Sequence, residues 1–117
     1  MDYSKIIKDT LKNNGGSFNV SKSKIKKPLN GFMVSIKDLI IVNKKDFNVK
    51  LLKSLVKNNF TLLKSNENYL GTWEDNGKIY IDISSNFNNL DEALKVAEDN
   101  KQLAIFDLQK MESIYLK

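Results

Sequence analysis

The pair Asn76-Gly77 lies between two runs of alternating apolar and polar residues, and it restricts the fold more than any other local feature of the chain. Asn-Gly suits the two central positions of a type I′ turn, which require positive φ and join adjacent antiparallel strands. The flanking runs extend over residues 69–75 and 78–83. The sequence therefore predicts a β-hairpin over these residues.

The register of this hairpin decides which side chains share a face. A two-residue loop places Trp73 opposite Tyr80 and Gly71 opposite Asp82, so that one face is aliphatic and the other is aromatic and acidic. Tyr69 joins the second face, and Gly71 leaves space over Asp82. A three-residue loop with a bulge would shift this pairing. The second face is either an additional core layer beneath the N-terminal helices or an exposed binding surface.

Hydrophobic periodicity and capping residues predict the remaining elements. They indicate helices over about 3–13, 47–58 and 90–100, with Asp2, Asp46 and Asn89 as N-caps, and strands over 18–20, 32–36, 38–42, 60–63, 102–107 and 113–116. The segments 32–36 and 38–42 are expected to form a hairpin. The order α-β-β-β-α-β-β-β-α-β-β lacks regular β-α-β alternation. We therefore expect an α+β fold, a single compact domain over residues 1–117 with a mainly antiparallel sheet and about three helices.

Charge is unevenly distributed along the chain. Residues 1–64 contain 14 lysines and 4 acidic residues, whereas residues 65–117 contain 5 lysines and 10 acidic residues, so the balances are +10 and −5. The change near residue 65 marks a possible seam between a basic N-terminal half and an acidic C-terminal half. The two halves either attract each other or present surfaces of opposite sign to different partners.

Cysteine, histidine and arginine are all absent from the chain. Their absence excludes disulfide frameworks, zinc sites of Cys and His, thiolate nucleophiles and triads with a histidine base. We therefore predict that the protein is not an enzyme and uses no cofactor and no metal ion. An enzymatic interpretation would depend on Asp82 and Asp107, which end strand patterns and could act as an acid and base, or hold a cation, if their strands are neighbours.

Lysines recur at i, i+3 and i+7 in the first two predicted helices, opposite the apolar residues. They are Lys5, Lys8 and Lys12, then Lys50, Lys53 and Lys57, and the intervening loop adds Lys22, Lys24, Lys26 and Lys27. Together they form either a basic surface for a phosphate backbone or the solvated side of ordinary amphipathic helices. Bidentate reading of guanine favours arginine, so we expect any nucleic-acid binding to tolerate different sequences.

Several segments resemble a family of small proteins carried by phages, prophages and other mobile elements. They are YLGTWEDNGKIYIDIS at 69–84, LDEAL at 90–94 and NKQLAIFD at 100–107, and earlier GGSF at 15–18 and GFMVS at 31–35. The resemblance implies no particular activity. It implies an accessory gene that acts on host machinery, and proteins in that setting, anti-CRISPR proteins among them, often act by stoichiometric binding.

We therefore predict a non-enzymatic accessory protein that binds and inhibits or modulates a host defence complex. Tyr69, Trp73 and Tyr80 are the predicted contact residues for a host protein or ribonucleoprotein, because exposed Trp and Tyr are frequent hot spots. The alternative is a sequence-tolerant nucleic-acid-binding accessory protein that uses the lysine-rich half. The start of the chain does not resemble a signal peptide, and no apolar run approaches the roughly 20 residues of a membrane span. We thus expect the cytoplasm of a bacterial host, with no membrane partner.

Overall fold

A six-stranded antiparallel sheet with helices on one side forms the fold, in a computed structural model that describes residues 2–22 and 24–116. The α+β fold class expected from the sequence is confirmed. The strand order is β1-β3-β4-β2-β5-β6, so the two strands that precede residue 65, β1 and β2, are separated by strands that follow it, within one sheet. The elements are α1 (Tyr3–Asn13), β1 (Gly15–Phe18), β2 (Phe32–Asn43), a 3-10 turn (Lys44–Asp46), α2 (Val49–Asn58), α3 (Phe60–Leu63), β3 (Asn68–Asp75), β4 (Lys78–Phe87), α4 (Leu90–Asp99), β5 (Ala104–Asp107) and β6 (Glu112–Tyr115).

The predicted hairpin is confirmed as β3 and β4 with a two-residue loop. Asn76 and Gly77 both have positive φ, at 51° and 78°, as a type I′ turn requires. Trp73 therefore pairs with Tyr80, and Gly71 pairs with the next residue on the same face, Asp82. The Gly77 carbonyl also accepts a hydrogen bond of 3.0 Å from the Lys44 amide, which ties the turn to the end of β2.

The aliphatic face of the hairpin carries the main hydrophobic core. Ile79, Ile81 and Ile83 alternate along β4 and are buried against α1 and α2, which contribute residues such as Ile6 and Leu52. Burial of one such side chain stabilises the fold by roughly 1.5–3 kcal/mol. The helices therefore lie over the aliphatic face, and the interpretation of the aromatic face as a core layer beneath the N-terminal helices is wrong.

Helix α4 packs on the same side of the sheet, farther along β2. Ala93 and Ala97 lie fully buried against Val34 of β2 and Ile105 of β5. The helix begins as predicted, because the Asn89 side chain accepts a hydrogen bond of 3.0 Å from the Glu92 amide. In the described residues, no helix has both the length and the apolar composition that crossing a bilayer requires.

The hairpin predicted over 32–36 and 38–42 is wrong, because these residues form the single strand β2. Its pairing with β4 slips between Ser35 and Lys37 and again between Asp38 and Ile40. Each slip is an extra residue in β2, which changes the phase of the apolar alternation without reversing the chain. In the sequence, this change of phase predicts a turn between two strands, although the segment lacks the glycine or asparagine that tight turns favour.

The strand predicted over residues 60–63 is also wrong, because this segment is the short helix α3. Lys64 donates a backbone hydrogen bond of 2.9 Å to Phe60, and Leu63 is fully buried whereas Phe60 is half exposed. Four apolar residues fit a strand or a helical turn equally well by periodicity, and burial of Leu63 in the core selects the turn.

Two smaller boundaries also differ from the predictions. Helix α2 is capped by Asn48, which accepts a hydrogen bond of 2.9 Å from the Leu51 amide, and not by Asp46, which lies in the preceding 3-10 turn. The first strand occupies Gly15–Phe18 instead of 18–20. The sheet thus has six strands where eight were expected, and the element order changes accordingly.

Candidate functional site

The open face is the side of the sheet opposite the helices, and it carries a row of exposed apolar side chains. Trp73 of β3, Tyr80 of β4 and Ile41 of β2 occupy directly paired positions on three adjacent strands. Their exposed fractions are 55%, 40% and 57%. We call these three residues the aromatic row. No helix of the described chain covers it, so the row presents a continuous apolar strip to solvent.

The strand at the edge of the sheet leaves one flank of the row uncovered. Gly15 of β1 pairs with Trp73, so β1 provides no side chain beside the indole. A Cβ atom at Gly15 would lie 2.6 Å from the Thr72 carbonyl oxygen, which leaves no room for another residue there. The close approach of β1 to β3 therefore requires glycine and also keeps the indole accessible.

Tyr69 lies on the open face but outside the row. It pairs with Ser84, four residues along each strand from the Trp73–Tyr80 pair. Its side chain is partly buried, and this burial raises the pKa of its phenol. Of the three predicted contact residues, Trp73 and Tyr80 are directly adjacent and exposed, whereas Tyr69 is more covered.

Two carboxylates lie next to the aromatic row. Asp82 of β4 pairs with Asp38 of β2 on one side and with Gly71 of β3 on the other. A Cβ atom at Gly71 would lie only 2.1 Å from Asp82 Oδ1, so the Asp82 carboxylate itself fills the space that Gly71 leaves. The Ser84 hydroxyl donates a hydrogen bond of 3.0 Å to the same oxygen.

The environment of Asp82 opposes its ionisation. Burial raises the pKa of the Asp82 carboxyl, and the nearby Asp38 charge acts in the same direction. Hydrogen bonds from Ser84 and Ser35 lower the pKa, but they do not cancel the effect of burial. The ion pairs of the described chain, Lys27 with Asp9 and Lys44 with Glu74, include neither Asp82 nor Asp38. Asp82 is therefore a partly buried acid that forms no ion pair with a cation of the described residues.

The structure does not bring Asp82 and Asp107 together. Asp107 pairs with Phe32 at the far end of β2, and Phe32 packs against the core beneath α4. Asp107 accepts hydrogen bonds from the amides of Gln109 and Lys110, at 3.0 and 3.2 Å, and so caps the turn after β5. The enzymatic interpretation required Asp82 and Asp107 on neighbouring strands, but β2 separates β4 from β5, so the acid–base or cation-binding pair does not form. Nor do the described residues contain a group of three acidic side chains placed to hold a metal ion.

The lysines proposed for nucleic acid lie on the helix side of the sheet. Lys50, Lys53 and Lys57 are exposed along α2, which packs beside α1. The loop that follows β1 is held on the same side, because its Ile25 is buried in the main core. Its exposed lysines are Lys22, Lys24, Lys26 and Lys27. The basic surface and the aromatic row therefore belong to opposite sides of the molecule.

One of these lysines is already engaged within the chain. Lys27 Nζ lies 2.9 Å from Asp9 Oδ2 of α1 and 5.7 Å from the centre of the Phe18 ring. Lys24 lies near Lys5 and Asp2, with which it lines a shallow depression at the start of α1. Part of the loop charge is therefore used to hold the loop against α1.

Sequence reasoning missed Ile41 and Asp38, the two residues that β2 adds to the open face. The wrong hairpin over 32–42 separated them from the β3–β4 pair. The sequence does contain a signal for a single strand here. The segment from Ile36 to Asn43 has no glycine or proline, and this composition favours one continuous strand over a hairpin.

Comparison with protein-family models, with curated proteins and with solved structures finds no match for this chain. The resemblance to proteins of mobile elements therefore stays a prediction from the sequence segments quoted above. The geometry and chemistry of the two surfaces are then the basis for a function.

Proposed function

We propose that the protein is a non-enzymatic accessory protein that binds a protein partner through the open face of its sheet. The aromatic row is the observation that carries this proposal. Trp and Tyr are enriched among hot-spot residues, whose truncation costs about 2 kcal/mol or more of binding free energy.

The placement of the row argues for a binding role over a purely structural one. A Trp side chain that served only the core would be buried with the isoleucines of β4, but Trp73 points to the opposite side and is 55% exposed. Its neighbours Tyr80 and Ile41 are also exposed, so the three form one patch and are not scattered. The β-sheet beneath them holds their backbone positions fixed, which lowers the entropy lost on binding.

The class of partner follows from the resemblance to proteins of mobile elements. That setting favours a host defence complex, either a protein or a ribonucleoprotein, which the chain inhibits or modulates by occupying a functional surface. The proposal requires no cofactor, no metal ion and no membrane, and places the protein in the cytoplasm of a bacterial host.

Affinity purification from the natural host, followed by binding measurements with the purified partner, tests the proposal. The double variant Trp73→Ala plus Tyr80→Ala should lose about 30-fold or more in affinity while it remains folded. The control is Phe60→Ala plus Leu11→Ala, which removes two large apolar side chains that are 51% and 42% exposed on α3 and α1, away from the open face. Equal affinities of the two double variants would contradict the proposal.

Nucleic-acid binding through the helix side is the second candidate function. The exposed lysines of α2 and of the loop after β1 favour it, since they lie on one side of the sheet. Charge reversal at Lys50, Lys53 and Lys57 should then weaken binding similarly for different nucleic-acid sequences, with a steep dependence on salt. Undetectable binding at about 50 mM salt would eliminate this candidate.

A further inference from the structure

The charge of the open face differs in sign from that of the whole chain. The chain has a net charge of +5. Strand alternation places Asp38, Asp82 and Asp75 on the open face of β2–β4, whereas Lys78, at the turn end of β4, is the lysine that these three strands place there. The open face is therefore locally acidic on a basic protein.

The carboxylates and the aromatic row together define one recognition surface. Asp82 and Asp38 occupy the pair of positions next to Tyr80 and Ile41 along β4 and β2. Gly71 places no side chain between Trp73 and Tyr69 along β3, and the Asp82 carboxylate fills the space that a side chain there would take. A cation that approaches this carboxylate from solvent would contact an aromatic ring and a carboxylate at the same time, and both contacts attract it.

We propose that the open face binds a basic segment of the protein partner, with a lysine or arginine side chain lying over the carboxylates of Asp82 and Asp38 beside the aromatic row. This inference rests on the proposed function and specifies the chemistry of the partner. The cation supplies the charge that Asp82 lacks within the described residues, and the apolar stem of the basic side chain covers the aromatic row.

A second copy of this chain fits the surface less well than a basic partner. In a symmetric dimer the same patch meets itself, so the carboxylates of the two copies would be brought together. Contact between the open face of one copy and the lysine-rich side of the next would be heterologous, and such contacts give open chains unless they close into a ring. Charge complementarity therefore favours a different, basic chain.

Titration with a short arginine peptide tests the inference directly. Trp73 is the single tryptophan of the chain, so its indole N–H gives one assignable signal in a ¹⁵N-¹H spectrum. The probe is acetyl-tetra-arginine amide, with the neutral acetyl-tetra-glutamine amide as control. We expect the arginine peptide to shift the Trp73 indole and the amides of Gly71 and Asp82, although the net charge of the protein repels it. The glutamine peptide should leave these signals in place.

Charge-neutralising variants separate the carboxylates from general electrostatics. Asp38→Asn and Asp82→Asn should each weaken binding of the arginine peptide by about threefold or more, because each removes one anion beside the aromatic row. Asp99→Asn is the matched control, since it removes the same charge from an exposed position at the end of α4. It should leave the affinity unchanged. Equal effects of all three variants, or no shift at Trp73, would overturn the inference.

The outcomes also distinguish this inference from the proposed function. If the purified partner needs Trp73 and Tyr80 but tolerates Asp38→Asn and Asp82→Asn, the open face is a binding surface and the basic-segment inference is wrong. If the partner tolerates the loss of Trp73 and Tyr80, the proposed function itself fails. A concentration-dependent dimer in sedimentation analysis, abolished by Trp73→Ala, would overturn the inference in favour of a second copy.

Discussion

Replacement of Gly71 by alanine should destabilise the protein because of one specific neighbour. The new Cβ atom would lie 2.1 Å from Asp82 Oδ1, 3.1 Å from Asp82 Cγ and 3.3 Å from Ser84 Oγ. Non-bonded heavy atoms prefer separations of about 3.5 Å or more, so the carboxylate must move by over about 1 Å. That movement breaks the hydrogen bond of 3.0 Å from Ser84.

Three contributions set the size of the effect. Overpacking typically costs about 1–3 kcal/mol, and loss of a hydrogen bond to a charged group costs about 1.5–3 kcal/mol. Gly71 does not have a positive φ, so alanine also reduces the entropy of the unfolded chain and returns about 0.4–1 kcal/mol. Since the Asp82 side chain can rotate away in part, we use the lower end of each of the two cost ranges. The free energy of unfolding should then fall by about 2 kcal/mol in total.

In a protein that already carries Asp82→Ala, Gly71→Ala should stabilise the fold instead of destabilising it. The clash and the hydrogen bond are then both absent, and only the gain of up to about 1 kcal/mol remains. Urea unfolding of the wild type, the two single variants and the double variant measures this coupling. A loss of 2 kcal/mol corresponds to roughly 1 M in the midpoint. If Gly71→Ala has the same effect in both backgrounds, the pairing of Gly71 with Asp82 is wrong.

Three further predictions concern the turn, the buried acid and metal ions. Gly77→Val should cost about 1 kcal/mol or more of stability, because valine is strained at φ 78°, whereas Gly77→Asn should cost less. Nothing lies within 4 Å of the added Cβ atom, so the difference between the two variants reports backbone strain and not a clash. Equal melting temperatures of the two variants would refute the type I′ turn. Burial and Asp38 raise the pKa of Asp82, so ionisation of the folded protein is unfavourable and stability is lost as pH rises from about 3.9 through the raised pKa. Asp82→Asn should therefore melt at a higher temperature than the wild type at pH 7, and this advantage should vanish at pH 3; an advantage independent of pH would refute the argument. Addition of EDTA should leave the melting temperature unchanged, and a shift of several degrees would show a structural metal ion.

Local sequence signals predicted those parts of the fold that local geometry determines. Asn76-Gly77 predicted the turn and its register, since few other pairs adopt two successive positive φ values. Asp2 and Asn89 predicted the beginnings of α1 and α4, because each side chain accepts a hydrogen bond from a nearby amide. The aromatic and acidic face followed from that register, and the structure places its residues as predicted.

The errors occurred where distant residues decide the local structure. The two bulges of β2 occur where it pairs with β4, some 45 residues later in the chain, and no local turn signal accompanies them. The helical form of Phe60–Leu63 depends on burial of Leu63 in a core contributed by other segments. The choice between a buried and an exposed aromatic face likewise required the helices to be placed. Tertiary packing determines the structure in each of these three cases, and a single sequence does not show that packing.

The exposure of Trp73 in the complex tests the central claim most directly. The chain contains one tryptophan, so incorporation of 5-fluorotryptophan gives a single ¹⁹F resonance, and an unlabelled partner adds no signal. When the purified partner is added, we predict that this resonance shifts and loses its dependence on the H₂O/D₂O ratio, because the indole leaves solvent. If the complex forms by sedimentation and the resonance keeps both its position and its solvent dependence, the partner does not bind to the open face and the account is contradicted.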